Sequence, residues 1–201
     1  MSLWDPVGSQ RDPSGKIENF IMSALLSVYD KTGIVKFAKE LEDLGWELIA
    51  SGGTAKVLNK AKIKTIPVKK INGFPEIFDG RLKTISPKIE GALLFDRENK
   101  KHLKEAKKFG ILPIDMVVCN FYPLRKGIDV GGPAMVRAGA KNYKYVTVIV
   151  EPADYKKVIK FLKEKKEIPL SFRLKLAQKT FEKTAEYDRK ISQFLKNDFQ
   201  K

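Results

Sequence analysis

Histidine and cysteine are nearly absent from this chain: His102 is its only histidine and Cys119 its only cysteine. A lone cysteine excludes an internal disulfide framework and fits a reducing compartment. One histidine leaves too few ligands for a zinc centre and argues against a His-based catalytic triad. No run approaches the roughly 20 apolar residues of a membrane-spanning helix. The N-terminal stretch lacks the basic start and apolar middle of a secretory signal. A cytoplasmic protein without a zinc centre or a membrane partner is therefore expected. Acidic residues are scarce too, since 24 Asp and Glu face 39 Lys and Arg, a formal charge of +15. That excess favours an anionic ligand but does not select nucleic acid. The basic residues are dispersed over helical patterns at 100–108, 156–166 and 173–183, and no aromatic residues interleave with them as a stacking platform requires.

What the chain does hold is an alternation of short apolar runs with amphipathic stretches. Residues 1–21 carry turn formers without a period and read as a flexible extension or a cloning remnant, leaving one domain over 22–201. "ALLSVY" (24–29) suits a buried strand. It leads into a helical pattern from Thr32 to Leu44 with Ile34, Val35, Phe37, Ala38, Leu41 and Leu44 on one broad face and Gly45 as its stop. "WELIAS" (46–51) is a second strand, "SGGT" a tight turn, and 55–61 a short helix. "IKTIPV" (63–68) is an edge strand, because Pro67 cannot donate a ladder bond. Helices are expected near 87–95 and 100–109, strands at "IDMVVCN" (114–120) and "YVTVIV" (145–150), and a helical tail over 152–165 and 170–196 that reads as a tether or a partner surface. The pattern is α/β, a mostly parallel sheet with helices on both faces.

Open α/β sheets bind ligands beyond the carboxyl ends of their strands. Each informative motif falls at such an end. "SVYDKTG" (27–33) offers Lys31, the Thr32 hydroxyl and free N–H groups to an anion. In "SGGT" (51–54), Gly52 and Gly53 permit close backbone approach, while Ser51 and Thr54 add hydroxyls. "GRLKTISP" (80–87) sets Arg81, Lys83 and Thr84 within four positions. "CNFYP" (119–123) ends a strand with Asn120, whose amide can donate and accept, and Tyr122. "DVGGPAMVRAGAKN" (129–142) confines Asp129, Arg137 and Lys141 to a segment otherwise small and apolar, so its backbone can approach another surface closely.

These segments occur in a fixed order, and "RLKLAQKTFEKTAEYDRKIS" (173–192) closes the chain. Together they resemble the IMP cyclohydrolase domain of the bifunctional purine-biosynthesis enzyme, AICAR transformylase/IMP cyclohydrolase, from about Ala24 to Leu195. The resemblance implies a methylglyoxal-synthase-like three-layer fold. It also implies ring closure of the formylated ribonucleotide FAICAR to IMP with release of water, without metal, nicotinamide or folate. By position it assigns Tyr29, Asp30, Lys31, Thr32, Ser51, Gly52, Gly53, Thr54, Arg81, Leu82, Thr84, Cys119, Asn120 and Val130 to the nucleotide site. Ser51–Thr54 would hold the ribose-phosphate. Lys83, Tyr122, Asp129 and Lys141 match positions implicated in ring closure. Gly131 and Gly132 would let N–H groups approach the nascent ring, the neighbouring small residues would make room for a base, and Arg137 would face or support the pocket.

The chemistry fits such equipment. A carboxamide nitrogen is a poor nucleophile, so the work is orientation, charge stabilisation and proton movement. Asp129 is expected to orient or deprotonate the carboxamide. Lys83 or Lys141, with Tyr122, is expected to protonate the departing oxygen, and burial beside Arg81 would tune that lysine.

The family's "KTLHP" stands here as "KTISP", with Ser86 in place of histidine, and Glu90 replaces a second histidine. Tyr29 stands for a common serine, and the segment between Tyr122 and Asp129 is short. The chain ends where the family's transformylase domain would begin, so a stand-alone protein and a piece of a longer one both fit, and formyl transfer from tetrahydrofolate is not expected. The resemblance also implies a homodimer and a separate AICAR transformylase as pathway partner. Three other readings compete: a purine-nucleotide-binding regulatory module of the same fold without turnover, a methylglyoxal-synthase-like lyase, which would want a histidine beside its acid, and a nucleic-acid binder inferred from charge.

Overall fold

The computed structural model describes residues 21–198. The N-terminal extension expected over 1–21 lies outside the described residues except for Ile21. The order of elements is β1 (Ser23–Val28), α1 (Ile34–Asp43), β2 (Glu47–Ala50), α2 (Gly52–Lys60), β3 (Ile66–Pro67), α3 (Val68–Asn72), α4 (Pro87–Leu94), α5 (Lys100–Phe109), β4 (Met116–Asn120), α6 (Gly131–Lys141), β5 (Thr147–Ile149), α7 (Tyr155–Lys165) and α8 (Leu170–Asp198).

The five strands form one sheet in the order β3-β2-β1-β4-β5, and all four pairings are parallel. The chain therefore winds outward from β1 through β2 to β3, then returns across β1 to build β4 and β5 on the other side. That reversal puts the switch point of the sheet between β1 and β4, where Val28 pairs with Asn120 at the carboxyl ends.

Alternation along β1 divides the core. Ala24, Leu26 and Val28 join α1, α2 and α7 in one apolar layer, with Phe37 and Leu41 of α1 buried there. Leu25 faces the other layer, among Ile89 and Leu93 of α4 and Met135 and Val136 of α6. Strands buried on both faces read as continuous apolar runs, as β1 and β4 do. The three-layer arrangement expected from the sequence, a parallel sheet with helices on both faces, is the observed one.

Several elements differ from their sequence expectation. Val35 and Leu44, assigned to the buried face of α1, are exposed at 36% and 37%, because the true apolar stripe is the narrower Ile34–Phe37–Ala38–Leu41. "SGGT" is not a turn preceding a helix at Ala55. Ser51 is the N-cap and Gly52 already opens α2. The third strand shrinks to two residues at the sheet edge. The tail is not a tether: Phe172, Leu176, Ala177, Thr180, Thr184 and Tyr187 of α8 are buried. Phe172 and Leu176 enter one layer and Ala177 the other, so α8 closes the β5 side of the sheet.

Candidate functional site

Beyond the switch point, loops from β1, β2 and β4 meet the hairpin-like segment 74–84 and the start of α6. Asn120, at the end of β4, accepts from the N–H groups of Tyr29 (2.7 Å) and Asp30 (2.8 Å) through Oδ1. Its Nδ2 donates to the Asp30 carbonyl at 3.2 Å. The Asn120 amide, which can both donate and accept, is thereby the clasp that holds the β1–α1 loop against β4. Asp30 in turn accepts from the N–H and hydroxyl of Thr32, at 2.9 and 2.7 Å. These bonds hold its carboxylate below the usual range. Lys31 folds back so that Nζ donates to the carbonyls of Val28 and Tyr29. Burial pulls Lys31 below the ordinary lysine value, Asp30 opposes, and the nearby charge of Lys83 pushes the same way as burial.

At the end of β2, the Ser51 hydroxyl shares a 2.7 Å hydrogen bond with Ser27. The Thr54 hydroxyl is buried and bonds both the N–H and the carbonyl of Val28, at 3.1 and 3.2 Å. Thr54 thus ties α2 to β1, and its hydroxyl does not face the cleft. What α2 presents is its own start: Gly52 and Gly53 are exposed, and the first N–H groups of a helix have no intrahelical partner.

The segment carrying Arg81 to Thr84 is held by backbone. Ile77 and Leu82 exchange two hydrogen bonds around Phe78, Asp79 and Gly80, all in the left-handed region with φ of 53°, 52° and 84°. Two non-glycine residues there store strain that the surrounding bonds must hold. Asn72 donates to the Lys83 carbonyl at 2.9 Å. Arg81 is exposed, Leu82 and Lys83 half-buried, and Thr84 buried.

Asp129 precedes α6 and accepts from the Gly132 N–H at 2.8 Å. Burial pushes its carboxyl above the usual range, with the Gly132 bond and the Lys83 charge opposing. Lys83 also lies within electrostatic reach of buried Cys119, whose thiol burial pushes far up. A thiol so held is not a nucleophile. A Cβ on Gly132 would stand 2.9 Å from an Asp129 oxygen, and one on Gly131 would stand 2.7 Å from the Thr84 hydroxyl. Both glycines are therefore required by close approach within the site. Val130, between them and Asp129, is 62% exposed.

The remaining small residues of this segment serve the fold rather than a base. A Cβ on Gly139 would lie 2.9 Å from Val148 and 3.0 Å from Val117, so Gly139 lets α6 sit directly on the sheet. Arg137 points away from the cleft, donating to Thr184 at 3.3 Å and lying over the Phe181 ring. Lys141 is exposed in the last turn of α6, about 15 Å along the helix from Gly131. Lys83 and Asp129 lie within electrostatic reach of each other and of Cys119, Lys31 lies within reach of Lys83, and Lys141 stands apart at the far end of α6.

Tyr122 donates its hydroxyl to the Ile128 carbonyl at 3.0 Å, closing the loop that carries Asp129. Burial, then Asp129 and Tyr187, raise its phenol, with Arg81 opposing. Tyr29, Asn120 and Tyr122 also line a groove of about 730 Å³ against Lys183, Tyr187 and Phe194 of α8. Sequence reasoning gave no role to Ser27, Asn72 or Tyr187. Tyr187 stands within the quoted "AEYDRK", but only the path of α8 reveals what it touches. Among the described residues, no group of three or more His, Cys, Asp or Glu could hold a metal ion, and no helix is long and apolar enough to cross a membrane.

A parallel sheet wound both ways from β1, with glycine-opened helices at its carboxyl edge, is the arrangement of an MGS-like domain. The family model described as "MGS-like domain" matches residues 33–149, and the chain belongs to that family. A second model, "AICARFT/IMPCHase bienzyme", matches residues 139–201, and the relatives are purine-biosynthesis proteins. The bifunctional purine biosynthesis protein PurH of Persephonella marina is 53% identical over 189 residues, covering 88% of this chain and 37% of the relative. PurH of Lactococcus lactis subsp. lactis is 48% identical, covering 88% and 36%. The chain thus spans little more than a third of the length of these relatives. The crystal structure of ForH superposes with a TM-score of 0.80 at 35% identity, over 85% of this chain and 95% of ForH.

Proposed function

We propose that the protein is an IMP cyclohydrolase, closing the ring of FAICAR to IMP with release of water. The observation that carries this reading is the packing of the 81–84 segment on the glycine-opened start of α6, where Thr84 lies against Gly131, Asp129 accepts from the Gly132 N–H and Lys83 is within electrostatic reach of Asp129. The substrate's phosphate suits the open N–H groups of Gly52 and Gly53 and the cations Lys31 and Arg81. The carboxamide nitrogen attacks the formyl carbon, and Asp129 takes the proton that this nitrogen loses. A carboxyl raised by burial is a better base than an ordinary one. Asp129 then passes the captured proton to the formyl oxygen, which becomes a hydroxyl. A second proton from Lys83 lets it leave as water, and the former formamide nitrogen returns its own proton to Lys83 as the C=N bond forms. Tyr122 acts in this scheme through the loop it closes, because its proton is engaged by Ile128. No step requires folate, nicotinamide or a metal.

A non-catalytic purine-nucleotide module of the same fold is the second reading. Ser86, standing for a family histidine, caps α4 by accepting from the Ile89 N–H at 3.2 Å. Glu90, standing for the other, leaves a carboxylate oxygen without a partner. The test is FAICAR cyclisation followed by ultraviolet absorbance on the chain and on Lys83→Ala. We expect turnover by the parent and a loss of about a hundredfold or more in the variant. IMP binding with no parental turnover would sink the enzyme reading in favour of the module. Cytoplasmic location, a homodimer and a separate AICAR transformylase as pathway partner go with the enzyme reading as proposals.

A further inference from the structure

Tyr187 lies in the fifth turn of α8, far in sequence from every loop of the site. Its side chain nevertheless reaches the loop 122–129 and bonds it twice. The hydroxyl accepts from the Asp129 N–H at 2.9 Å and donates to the Tyr122 carbonyl at 3.1 Å. The ring packs on Phe121 with centroids 5.1 Å apart, and the residue is only 8% exposed. One oxygen therefore joins the two ends of the loop, while the Tyr122 hydroxyl ties that loop to the Ile128 carbonyl from within. Between these ties the chain makes one local turn, with the N–H groups of Lys126 and Gly127 bonded at 2.8 Å to the carbonyls of Pro123 and Leu124, and residues 125–128 are exposed. The tyrosine hydroxyl is the one neutral side-chain group that can accept and donate here while its ring is anchored in an apolar contact.

We propose that Tyr187 is a positioning residue for ring closure: its hydroxyl fixes the backbone of Tyr122 and Asp129 so that the Asp129 carboxylate stands at the start of α6. This rests on the cyclohydrolase reading. The C-terminal helix thereby forms part of the catalytic apparatus without touching substrate. Misplacing a reacting group by about 1 Å can cost on the order of a hundredfold in rate, whereas groups that bind the nucleotide elsewhere in the cleft keep their positions. The predicted signature is a fall in kcat with KM little changed.

The experiment compares the chain with Tyr187→Phe and, as a control, Tyr145→Phe, which deletes a different tyrosine hydroxyl, bonded to Asp96 at 2.9 Å. FAICAR cyclisation, thermal unfolding and amide hydrogen exchange over 121–130 are measured on each. Tyr187→Phe is expected to lower kcat about ten- to a hundredfold with KM within about threefold. Its melting point should stay near that of Tyr145→Phe, and exchange should speed up in 121–130 alone. An unchanged kcat, unchanged exchange in this loop, or a kcat loss that merely follows lost stability would each overturn the proposal. If the parent chain does not turn over FAICAR, the cyclohydrolase reading fails on its own. Exchange then decides separately whether Tyr187 holds the loop.

Discussion

A half-buried carboxylate without a partner is a cost carried by a single residue, and Glu90 is such a group. It sits in the first turn of α4, and its Oε1 has no hydrogen-bond partner. Burial alone raises its carboxyl above the usual value. A carboxyl raised in the folded state favours folding while it is protonated, so its contribution is intact in acid and is lost as pH rises through the folded value. Glu90→Gln removes that loss. The variant should melt higher than the parent at pH 7.5, by roughly 1 kcal/mol of stability, and the difference should shrink as pH falls and vanish only below the ordinary carboxylate range. An equal difference at both pH values would show that charge is not the cause. Asp129 carries the same upward shift from burial, but there the raised carboxyl serves the proposed chemistry.

Elements are placed here by close approach as much as by apolar area. Helix α6 has two ends with different work. Its first turn needs Gly131 and Gly132 because Thr84 and Asp129 lie against them, and its last turns need Gly139 because Val117 and Val148 do. Gly139→Ala should cost about 1–3 kcal/mol by forcing α6 off the sheet, read as a lower urea midpoint with an unchanged m-value. Cyclisation should weaken only as far as Asp129 moves with the helix. A variant as stable as the parent would mean that the sheet yields instead. Helix α8 shows the converse: its apolar period announced a helix, but nothing in that period said which body it would cover.

At the scale of the whole molecule, the excess of base over acid is a field rather than a fold determinant. Several lysines are already paired on the surface, as Lys101 is with Glu105 at 4.0 Å and Lys160 with Glu164 at 3.8 Å. Such exposed pairs contribute little to stability. The unpaired remainder should draw an anionic nucleotide toward the cleft and be screened by salt. The KM for FAICAR is expected to rise several-fold between 20 mM and 300 mM salt, with kcat nearly constant. A flat KM would confine the recognition of the phosphate to its short-range hydrogen bonds.

The sequence by itself determined the α/β class, the parallel strands β1, β2, β4 and β5 to within about two residues, Pro67 at an edge, and the family. Apolar runs and glycine stops are local signals that survive any packing, and an ordered set of loop motifs is specific without coordinates. It also placed Asp129 and Lys83 among the candidates, through the family resemblance that their loop motifs carry. Tertiary structure alone decided which of them meet. It turned the Asn120 amide and the Thr54 hydroxyl toward the backbone, sent Arg137 to α8, and left Lys141 at the far end of α6. It also brought Tyr187 across 58 residues to Asp129. Such partnerships depend on how one helix lies over a sheet, a long-range geometry that no local period encodes.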